Sequence, residues 1–331
     1  MSAVAPSETW RPVALSRELR GGPLAVVIDG APVVLFRDGD AVRALPDRCP
    51  HRMVELSGGR VLDGEIECPY HGWRFGGDGR CTAVPGLKGP VPAIRVPPLH
   101  AVEHRGAIHV ARGRPAAPPS AHPFEGGDVV ERVVRSSTRS TVLDAAENIL
   151  DATHTHYTHK GLLRGLSAKR FDVTVDVTGG PDWVEAVYTG EPEQQGLVSR
   201  LLEGERTRTV GRFRAPGIAE LEYWGPRGLA LATTFHLREA AQGVVEGIGW
   251  LVGPRQGGLG HLKALLFEPL FHVALRQDQR VLRSASLNAA RHPGTSPVIG
   301  PLDILRRDIA AILRGEAPDA MERPRRLVMS L

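Results

Sequence analysis

Residues Glu147 to His159 read E-N-I-L-D-A-T-H-T-H-Y-T-H and place three histidines and two carboxylates within thirteen residues. Asp151 and His154 are three positions apart, so on a helix they share one face. His159 follows His154 by five positions, about 140° round a regular helix. Both imidazoles can therefore reach one metal ion only if the helix bends or unwinds between them. Imidazole and carboxylate groups without a nearby thiolate suit a divalent metal such as iron or zinc, although His-rich helices also occur as polar surface.

The composition is that of a packed protein with room for two domains. Of 331 residues, 42% are hydrophobic and 24% are charged, as in globular chains. The net charge is +4 and no dense Lys/Arg run occurs, so nucleic acid is not an expected partner. We find no secretion signal and no apolar run near the ~20 residues of a membrane span. Three cysteines are too few for a disulfide framework. These features predict a cytoplasmic protein that does not enter a membrane.

Residues 12–110 carry the signals of short strands joined by tight turns. Asp-Gly pairs occur at 29–30, 38–39, 63–64 and 78–79. Asp-Gly favours the positive-φ turns of β-hairpins. The pattern predicts a small antiparallel β domain.

Two cysteine–histidine motifs lie inside this region. Cys49-Pro50-His51 and Cys68-Pro69-Tyr70-His71 each offer one thiolate and one imidazole. A set of two cysteines and two histidines can hold structural zinc, but zinc fingers pair cysteine with cysteine and histidine with histidine along the chain. The interleaved order fits a two-iron cluster in which two cysteines hold one iron and two histidines the other. We read Cys81, outside the pattern, as a small buried hydrophobe.

A Pro-rich stretch, residues 111–120, predicts an extended linker with the domain boundary near Pro119. Beyond it, strand-like runs alternate with Gly-rich breaks, as in an antiparallel sheet. The predicted strands are Phe171–Val177, Trp183–Thr189, Glu205–Phe213, Ile218–Trp224, Leu229–Leu237 and Val244–Val252. From Leu259 to Ala290 the spacing of the apolar residues becomes that of a helix.

Asp278 lies in the apolar stripe of this predicted helix, with Ala274 and Leu275 before it and Val281 after it. A carboxylate there is costly to bury unpaired, so it must meet a cation, a metal ion or a proton. Glu268 is the rival carboxylate, but it precedes Pro269 and is expected at a break in the helix. Two histidines and one carboxylate with open positions form the facial triad of non-haem Fe(II) sites.

These motifs together resemble those of the Rieske non-haem iron oxygenases. C-P-H-R at residues 49–52 and C-P-Y-H-G-W-R-F at 68–75 resemble the cluster-binding loops. N-x-x-D-x-x-H-x4-H at residues 148–159 resembles the catalytic-domain motif. The fold class that this resemblance implies is α+β. An N-terminal all-β Rieske [2Fe-2S] domain, residues 1–118, would precede a helix-grip catalytic domain, residues 119–331, in which an antiparallel sheet packs against helices.

The resemblance also implies roles for individual residues. Cys49 and Cys68 would hold one iron of the [2Fe-2S] cluster, and His51 and His71 the other. A mononuclear Fe(II) would be held by His154, His159 and Asp278, with His156 facing away from the pair of ligand histidines. The remaining motif residues, Asn148 and Asp151, would belong to the catalytic machinery. Asp151 would link His71 of the partner subunit to His154.

The implied reaction uses O2 and electrons from NAD(P)H. A separate reductase, with or without a ferredoxin, would deliver the electrons, since this chain has no flavin or nicotinamide fingerprint. The chain length resembles that of the homotrimeric branch typified by vanillate and dicamba O-demethylases and phthalate oxygenase. We therefore expect a terminal oxygenase that hydroxylates or oxidatively demethylates a small aromatic substrate. The alternatives are a ring cis-dihydroxylating dioxygenase and, in a different class, a Rieske electron carrier with a degenerate second site.

Two further predictions concern surfaces. Five arginines surround the cluster loops, either as solvated charge or as a docking patch for an acidic electron donor: Arg48, Arg52, Arg60, Arg74 and Arg80. Apolar residues near the metal motifs either line a substrate pocket or, for most of them, pack in the core: Leu162, Leu163, Leu166, Leu265, Leu266 and Phe271.

Overall fold

The computed structural model describes residues 9–162, 170–190 and 206–331. The chain forms two compact units, Met1–Ala121 and His122–Leu331. None of the helices in the described ranges is long and apolar enough to cross a membrane.

The N-terminal unit is all β, as predicted. Its described strands form three antiparallel sheets with the orders β1-β10-β9, β2-β3-β4 and β5-β6-β7-β8. Their bounds are β1 Arg11–Leu15, β2 Leu24–Ile28, β3 Ala31–Asp38, β4 Ala41–Pro46, β5 Arg60–Leu62, β6 Glu65–Glu67, β7 Arg74–Phe75, β8 Cys81–Ala83, β9 His100–His104 and β10 Ala107–Ala111.

The Asp-Gly pairs form turns with positive φ, as predicted. Asp29 and Gly30 have φ of 48° and 76°, and Asp63 and Gly64 have 53° and 81°, the two positive angles that a type I′ hairpin requires. The predicted linker after Ala111 has no regular structure, yet it is tied to this unit because the Trp10 indole N–H donates to the carbonyl of Ala117 at 2.8 Å.

The C-terminal unit is an eight-stranded antiparallel sheet with helices, in the order β11-β17-β16-β15-β14-β13-β12-β18. The strands are β11 Val129–Arg139, β12 Asp172–Gly180, β13 Trp183–Thr189, β14 Arg208–Arg214, β15 Ile218–Gly225, β16 Gly228–Ala241, β17 Val244–Pro254 and β18 Arg325–Ser330. The helices in the described residues are α1 Val142–Leu150, α2 Thr155–Thr158, α3 Leu259–Arg291, α4 Arg306–Leu313 and α5 Asp319–Glu322. The α+β class is confirmed.

All six strands predicted between residues 171 and 252 form, with ends that differ by a few residues. One predicted start, Glu205, lies outside the described residues. Strand β18 was not predicted, although it alternates in the expected way, with Arg325, Leu327 and Met329 more buried than the residues between them. The two arginines at its start hide this alternation in the sequence, because charged residues are depleted in strands.

Helix α3 spans 33 residues, close to the predicted range. The prediction of a break at Glu268 was wrong, because the helix continues through Pro269. Phe267 and Ala274 are buried on either side of the proline. This packing holds the helix together despite the hydrogen bond that proline removes. The Glu268 carboxylate instead lies 3.6 Å from Arg132.

Candidate metal centres

The two cysteine loops of the N-terminal unit have the same backbone fold. In each loop the cysteine N–H donates to the carbonyl five residues on, and the cysteine carbonyl accepts from the N–H four residues on. These distances are 2.7 and 2.9 Å at Cys49, and 2.8 and 3.0 Å at Cys68. The fourth residue after each cysteine, Met53 or Gly72, has a positive φ of 62° or 70°. The loops therefore present their side chains in matching geometry.

The four predicted cluster ligands pair by type in space, although each loop carries one of each type. The His51 and His71 rings have centroids 4.7 Å apart. Burial, with a smaller contribution from the adjacent Cys68 thiol, raises the pKa of Cys49 to about 11. Both thiols lie in a hydrophobic core cluster, where thiolates are stable only if a metal compensates their charge. Two thiols beside each other and two imidazoles beside each other fit a Rieske cluster.

The exposed side of this site carries aromatic rings and arginines. The Trp73 ring stacks on His51 with ring centroids 4.6 Å apart. The ring centroids of Tyr70 and His71 are 3.8 Å apart. Three of the five predicted patch arginines are paired with local carboxylates: Arg60 and Arg74 share Glu67, and Arg80 pairs with Asp78. Within the described residues, Arg48 and Arg52 form no ion pair. They are the arginines on which a docking patch would depend.

In the C-terminal unit, the helix predicted over residues 147–159 is broken in the middle. Helix α1 ends at Leu150, because Asp151 adopts an extended conformation with φ −77° and ψ 117°. The Asp151 carboxylate accepts hydrogen bonds from the N–H and hydroxyl of Thr153 at 2.6 and 2.7 Å, and from the N–H of His154 at 3.1 Å. A side chain that binds the backbone in this way competes with helix formation. The chain turns here before α2, as the histidine spacing requires.

The break brings His154 and His159 to Asp278 of helix α3. The two histidine Nε2 atoms are 3.3 Å apart. Asp278 Oδ1 lies 3.1 Å from His159 Nε2 and 3.6 Å from His154 Nε2. In the described parts of the chain, no other group of three or more His, Cys, Asp or Glu side chains converges in this way. Three ligands, each about 2.1 Å from one ion, have separations of this size.

The second nitrogen of each histidine is held elsewhere, which fixes the direction of Nε2. His154 Nδ1 lies 2.8 Å from the carbonyl of Asp151, and His159 Nδ1 lies 2.8 Å from Oε1 of Gln277. Both partners are acceptors, so each Nδ1 carries the proton and each Nε2 presents a lone pair. Sequence reasoning missed Gln277, since a neutral amide beside Asp278 gives no signal in the sequence.

The electrostatics of this cluster favour a cation at its centre. Burial alone would lower the pKa of His154, but Asp151 and Asp278 raise it to about 9. Asp278 Oδ1 is buried and faces the Nε2 atoms of both histidines. A buried carboxylate oxygen that faces two imidazole lone pairs is costly without a positive charge between them. The donor set and its burial therefore fit a divalent metal ion such as Fe(II).

The three donors lie in the wall of a cavity of about 1030 Å³, including the space at its mouth. Asn148 and Asp151 also line it, as does Phe271, one of the predicted lining residues. Leu265 and Leu266 are exposed, with relative accessibilities of 61% and 53%, and do not line the cavity. Leu162 packs against the core of the unit. Two other predicted residues, Leu163 and Leu166, lie outside the described residues. His156 is not among the converging side chains.

Known proteins are similar to this chain in sequence and in fold. Residues 9–99 match the Rieske [2Fe-2S] domain family. The protein TIC 55 of Arabidopsis thaliana chloroplasts is 29% identical over 65% of this chain and 40% of its own length. The oxygenase component of dicamba O-demethylase from Stenotrophomonas maltophilia is 36% identical over 60% of each protein. The chain thus spans less than two thirds of either relative.

A crystal structure of dicamba monooxygenase bound to 3,6-dichlorosalicylic acid has the same fold. Its TM-score is 0.76 at 21% identity, over 93% of this chain and 96% of that one. The chain therefore carries a Rieske [2Fe-2S] domain at residues 9–99 and a second candidate metal site in its C-terminal unit. By sequence, the chain is homologous to the oxygenase components of Rieske systems such as dicamba O-demethylase.

Proposed function

We propose that this protein is the terminal oxygenase of a multicomponent Rieske system. The observation that carries the proposal is the convergence of His154, His159 and Asp278 on one point in the wall of a large cavity. The chain also carries a Rieske domain. An electron carrier with a degenerate second site has no use for three converging donors, two of them with fixed tautomers. The proposed domains are a cluster domain, residues 1–118, and a catalytic domain, residues 119–331.

In this proposal a Rieske cluster at Cys49, His51, Cys68 and His71 supplies single electrons, and Fe(II) at the His154, His159 and Asp278 site supplies O2 activation. The side chains of the chain perform the remaining tasks. The Asp151 carbonyl and the Gln277 amide orient the two ligand histidines. The largely apolar cavity holds the substrate and limits the access of water to it.

The proposed reaction is hydroxylation or oxidative demethylation of a small aromatic substrate. One oxygen atom of O2 enters the substrate and the other leaves as water. NAD(P)H supplies the two electrons through a separate reductase, with or without a ferredoxin. We place the protein in the cytoplasm.

The proposed assembly is a homotrimer in which Asp151 connects His71 of the partner subunit to His154. Asp151 supports this role because it lines the cavity beside His154 and is partly exposed. Light scattering of the purified protein should give three times the chain mass. The variant Asp151→Asn should keep both metals and lose most electron transfer from cluster to iron. A monomer, or normal transfer in that variant, would remove this part of the proposal.

Single turnover with isotopic oxygen tests the function without knowledge of the natural reductase. Protein reduced with dithionite is freed of excess reductant, mixed with ¹⁸O2 and incubated with methoxylated and methylated aromatic compounds. We expect one ¹⁸O atom in the hydroxylated product or in the formaldehyde that demethylation releases. Two ¹⁸O atoms in a cis-diol would favour the dioxygenase alternative. The variant Asp278→Ala is the control, and equal product formation from it would reject the proposed site.

A further inference from the structure

The short helix α2 connects two of the three candidate metal donors. Its four residues, Thr155–Thr158, lie between His154 and His159. A helix of one turn is not stable by itself, because its nucleation costs more free energy than so few hydrogen bonds return. Contacts with the rest of the unit must therefore keep the two histidines in place.

The turn that contains α2 has an inner and an outer side. On the inner side, His154, Thr155 and His159 line the cavity, and Gln277 holds His159 at 2.8 Å. Tyr157 belongs to the outer side, because it is 75% exposed and does not line the cavity. A one-turn helix that is held from the inside alone can still rotate outward, so a contact at Tyr157 decides how firmly the turn is fixed.

Arg170 makes that contact and connects it to strand β18. Its Nη2 donates to the Tyr157 hydroxyl at 2.6 Å, and its Nη1 donates to the carbonyl of Ser330 at 3.2 Å. Arg170 is itself fixed, because the next residue, Phe171, exchanges two backbone hydrogen bonds of 2.8 and 2.9 Å with Leu331. The two arms of one planar guanidinium thus span from the metal-donor turn to the edge strand of the sheet.

We propose that Arg170 is a positioning residue of the metal centre, which holds α2 to strand β18 through Tyr157 and so keeps His154 and His159 directed at the metal. The inference rests on the proposed function, because it takes the three converging donors as the site of the mononuclear iron. Neither Arg170 nor Tyr157 lines the cavity, so both act through the turn and not on the substrate. Without the bridge, the histidines should leave the metal more often, and the metal should dissociate faster.

The rate of iron release tests this inference without turnover. Full-length protein loaded with iron at both sites is mixed with an excess of the Fe(II) chelator ferrozine, and formation of the coloured chelate is followed. We expect Arg170→Gln and Tyr157→Phe each to release the mononuclear iron roughly 3- to 10-fold faster than the wild type, as for the loss of one hydrogen bond. The absorbance of the cluster should stay unchanged in both variants, because the bridge lies in the C-terminal unit.

Three further variants separate the bridge from other effects of the arginine. The double variant Arg170→Gln/Tyr157→Phe should release iron no faster than either single variant, because all three lack the same bridge. Arg170→Lys keeps the charge but not the planar fork, so its release should stay faster than that of the wild type. The control is Arg326→Gln. Arg326 also lies in β18 and is exposed, but it pairs with Asp176 of β12 at 2.5 Å, so its loss should leave the release rate unchanged.

Any of four results overturns the inference: wild-type release in Arg170→Gln, additive effects in the double variant, full rescue by Arg170→Lys, or equally fast release in Arg326→Gln. The iron content of the wild type separates this failure from that of the proposed function. About three irons per chain with unchanged release in Arg170→Gln would reject the inference alone. About two irons per chain, all in the cluster, would reject both.

Discussion

Gln277 and Asp278 are neighbours in helix α3, yet only one of them could be found in the sequence. Asp278 is recognisable because a carboxylate in an apolar stripe needs a partner. Gln277 acts through a contact with His159, which is 118 positions away in the chain. That contact exists only because of the break at Asp151 and the packing of α3. At the scale of the residue, charge is predictable from sequence, and neutral hydrogen-bond partners are not.

Removing the Gln277 acceptor should weaken iron binding without affecting the cluster. In Gln277→Leu, His159 loses the group that fixes its tautomer and ring orientation, so we expect Fe(II) affinity to fall about 10- to 100-fold. Gln277→Glu keeps an acceptor and should restore much of the affinity. Titration of the metal-depleted site with Fe(II) measures the effect.

The matched control for this prediction is Gln279→Leu in the same helix. The Gln279 amide donates to the Ser136 hydroxyl at 2.8 Å and does not contact the histidines. Equal losses of iron affinity in Gln277→Leu and Gln279→Leu would show that the effect is general disturbance of α3, which contradicts the positioning role.

Alanine substitutions at two glycines of the N-terminal unit distinguish the cost of backbone strain from the cost of a steric clash. Gly79 and Gly86 have nearly equal positive φ, 80° and 85°. A Cβ at Gly79 would lie 1.8 Å from the carbonyl oxygen of Val96, whereas at Gly86 nothing lies within 4 Å. We expect Gly86→Ala to destabilise the unit by about 1 kcal/mol and Gly79→Ala to destabilise it by clearly more. Urea midpoints followed by cluster absorbance would measure both, and equal midpoints would contradict the prediction.

At the scale of the element, regular patterns were predicted and irregular features were not. The strand alternation between residues 171 and 252 and the helical period from Leu259 were visible because each buries one face of a regular element. Strand β18 was missed because arginines occupy its start. The break at Asp151 was anticipated only as a geometric requirement of His154 and His159. Its cause, the Asp151 carboxylate bonding to the backbone, depends on local competition that sequence patterns do not resolve.

One arginine of helix α4 forms ion pairs with two carboxylates of α1, which gives a prediction with a pH dependence. Arg306 pairs with Glu147 and lies 2.9 Å from Asp144. Burial raises the pKa of Glu147, and Arg306 opposes that rise. In Arg306→Met the pKa of Glu147 should rise further, and we expect a loss of about 2 kcal/mol in the free energy of unfolding near pH 8.

The sign of the pH effect follows from linkage. At low pH Glu147 is protonated in both folded and unfolded chains, so its raised pKa costs nothing. As the pH rises above about 4.3, the unfolded carboxyl ionises first and the folded state loses stability. The deficit of Arg306→Met should therefore be smaller at pH 5 than at pH 8. Arg307→Met, at an exposed neighbouring site, is the control. A deficit that does not vary with pH would exclude Glu147 as its cause.

At the scale of the whole molecule, the predicted arginine patch depends on Arg48 and Arg52, because the other three arginines are paired with local carboxylates. An acidic electron donor would be steered to this surface by charge, so its rate should fall as salt rises. At low ionic strength, electron delivery to the double variant Arg48→Glu/Arg52→Glu should be several-fold slower than to the wild type. Its rate should also depend less on salt. Stopped-flow reduction by a ferredoxin would measure this.

The control for the patch is Arg17→Glu/Arg20→Glu, which makes the same change in net charge at exposed positions outside the cluster loops. If electron delivery slows by the same factor in both double variants, the effect comes from net charge and not from docking at the patch. A wild-type rate that is independent of ionic strength would also remove the docking prediction.

The central claim is that one chain holds two different iron sites. The electron paramagnetic resonance spectrum of the dithionite-reduced protein, with total iron per chain, tests it most directly. We predict a Rieske-type signal with about three irons per chain, and the same signal with about two irons in Asp278→Ala. Zinc in place of iron, with no Rieske signal, would contradict the account of both sites.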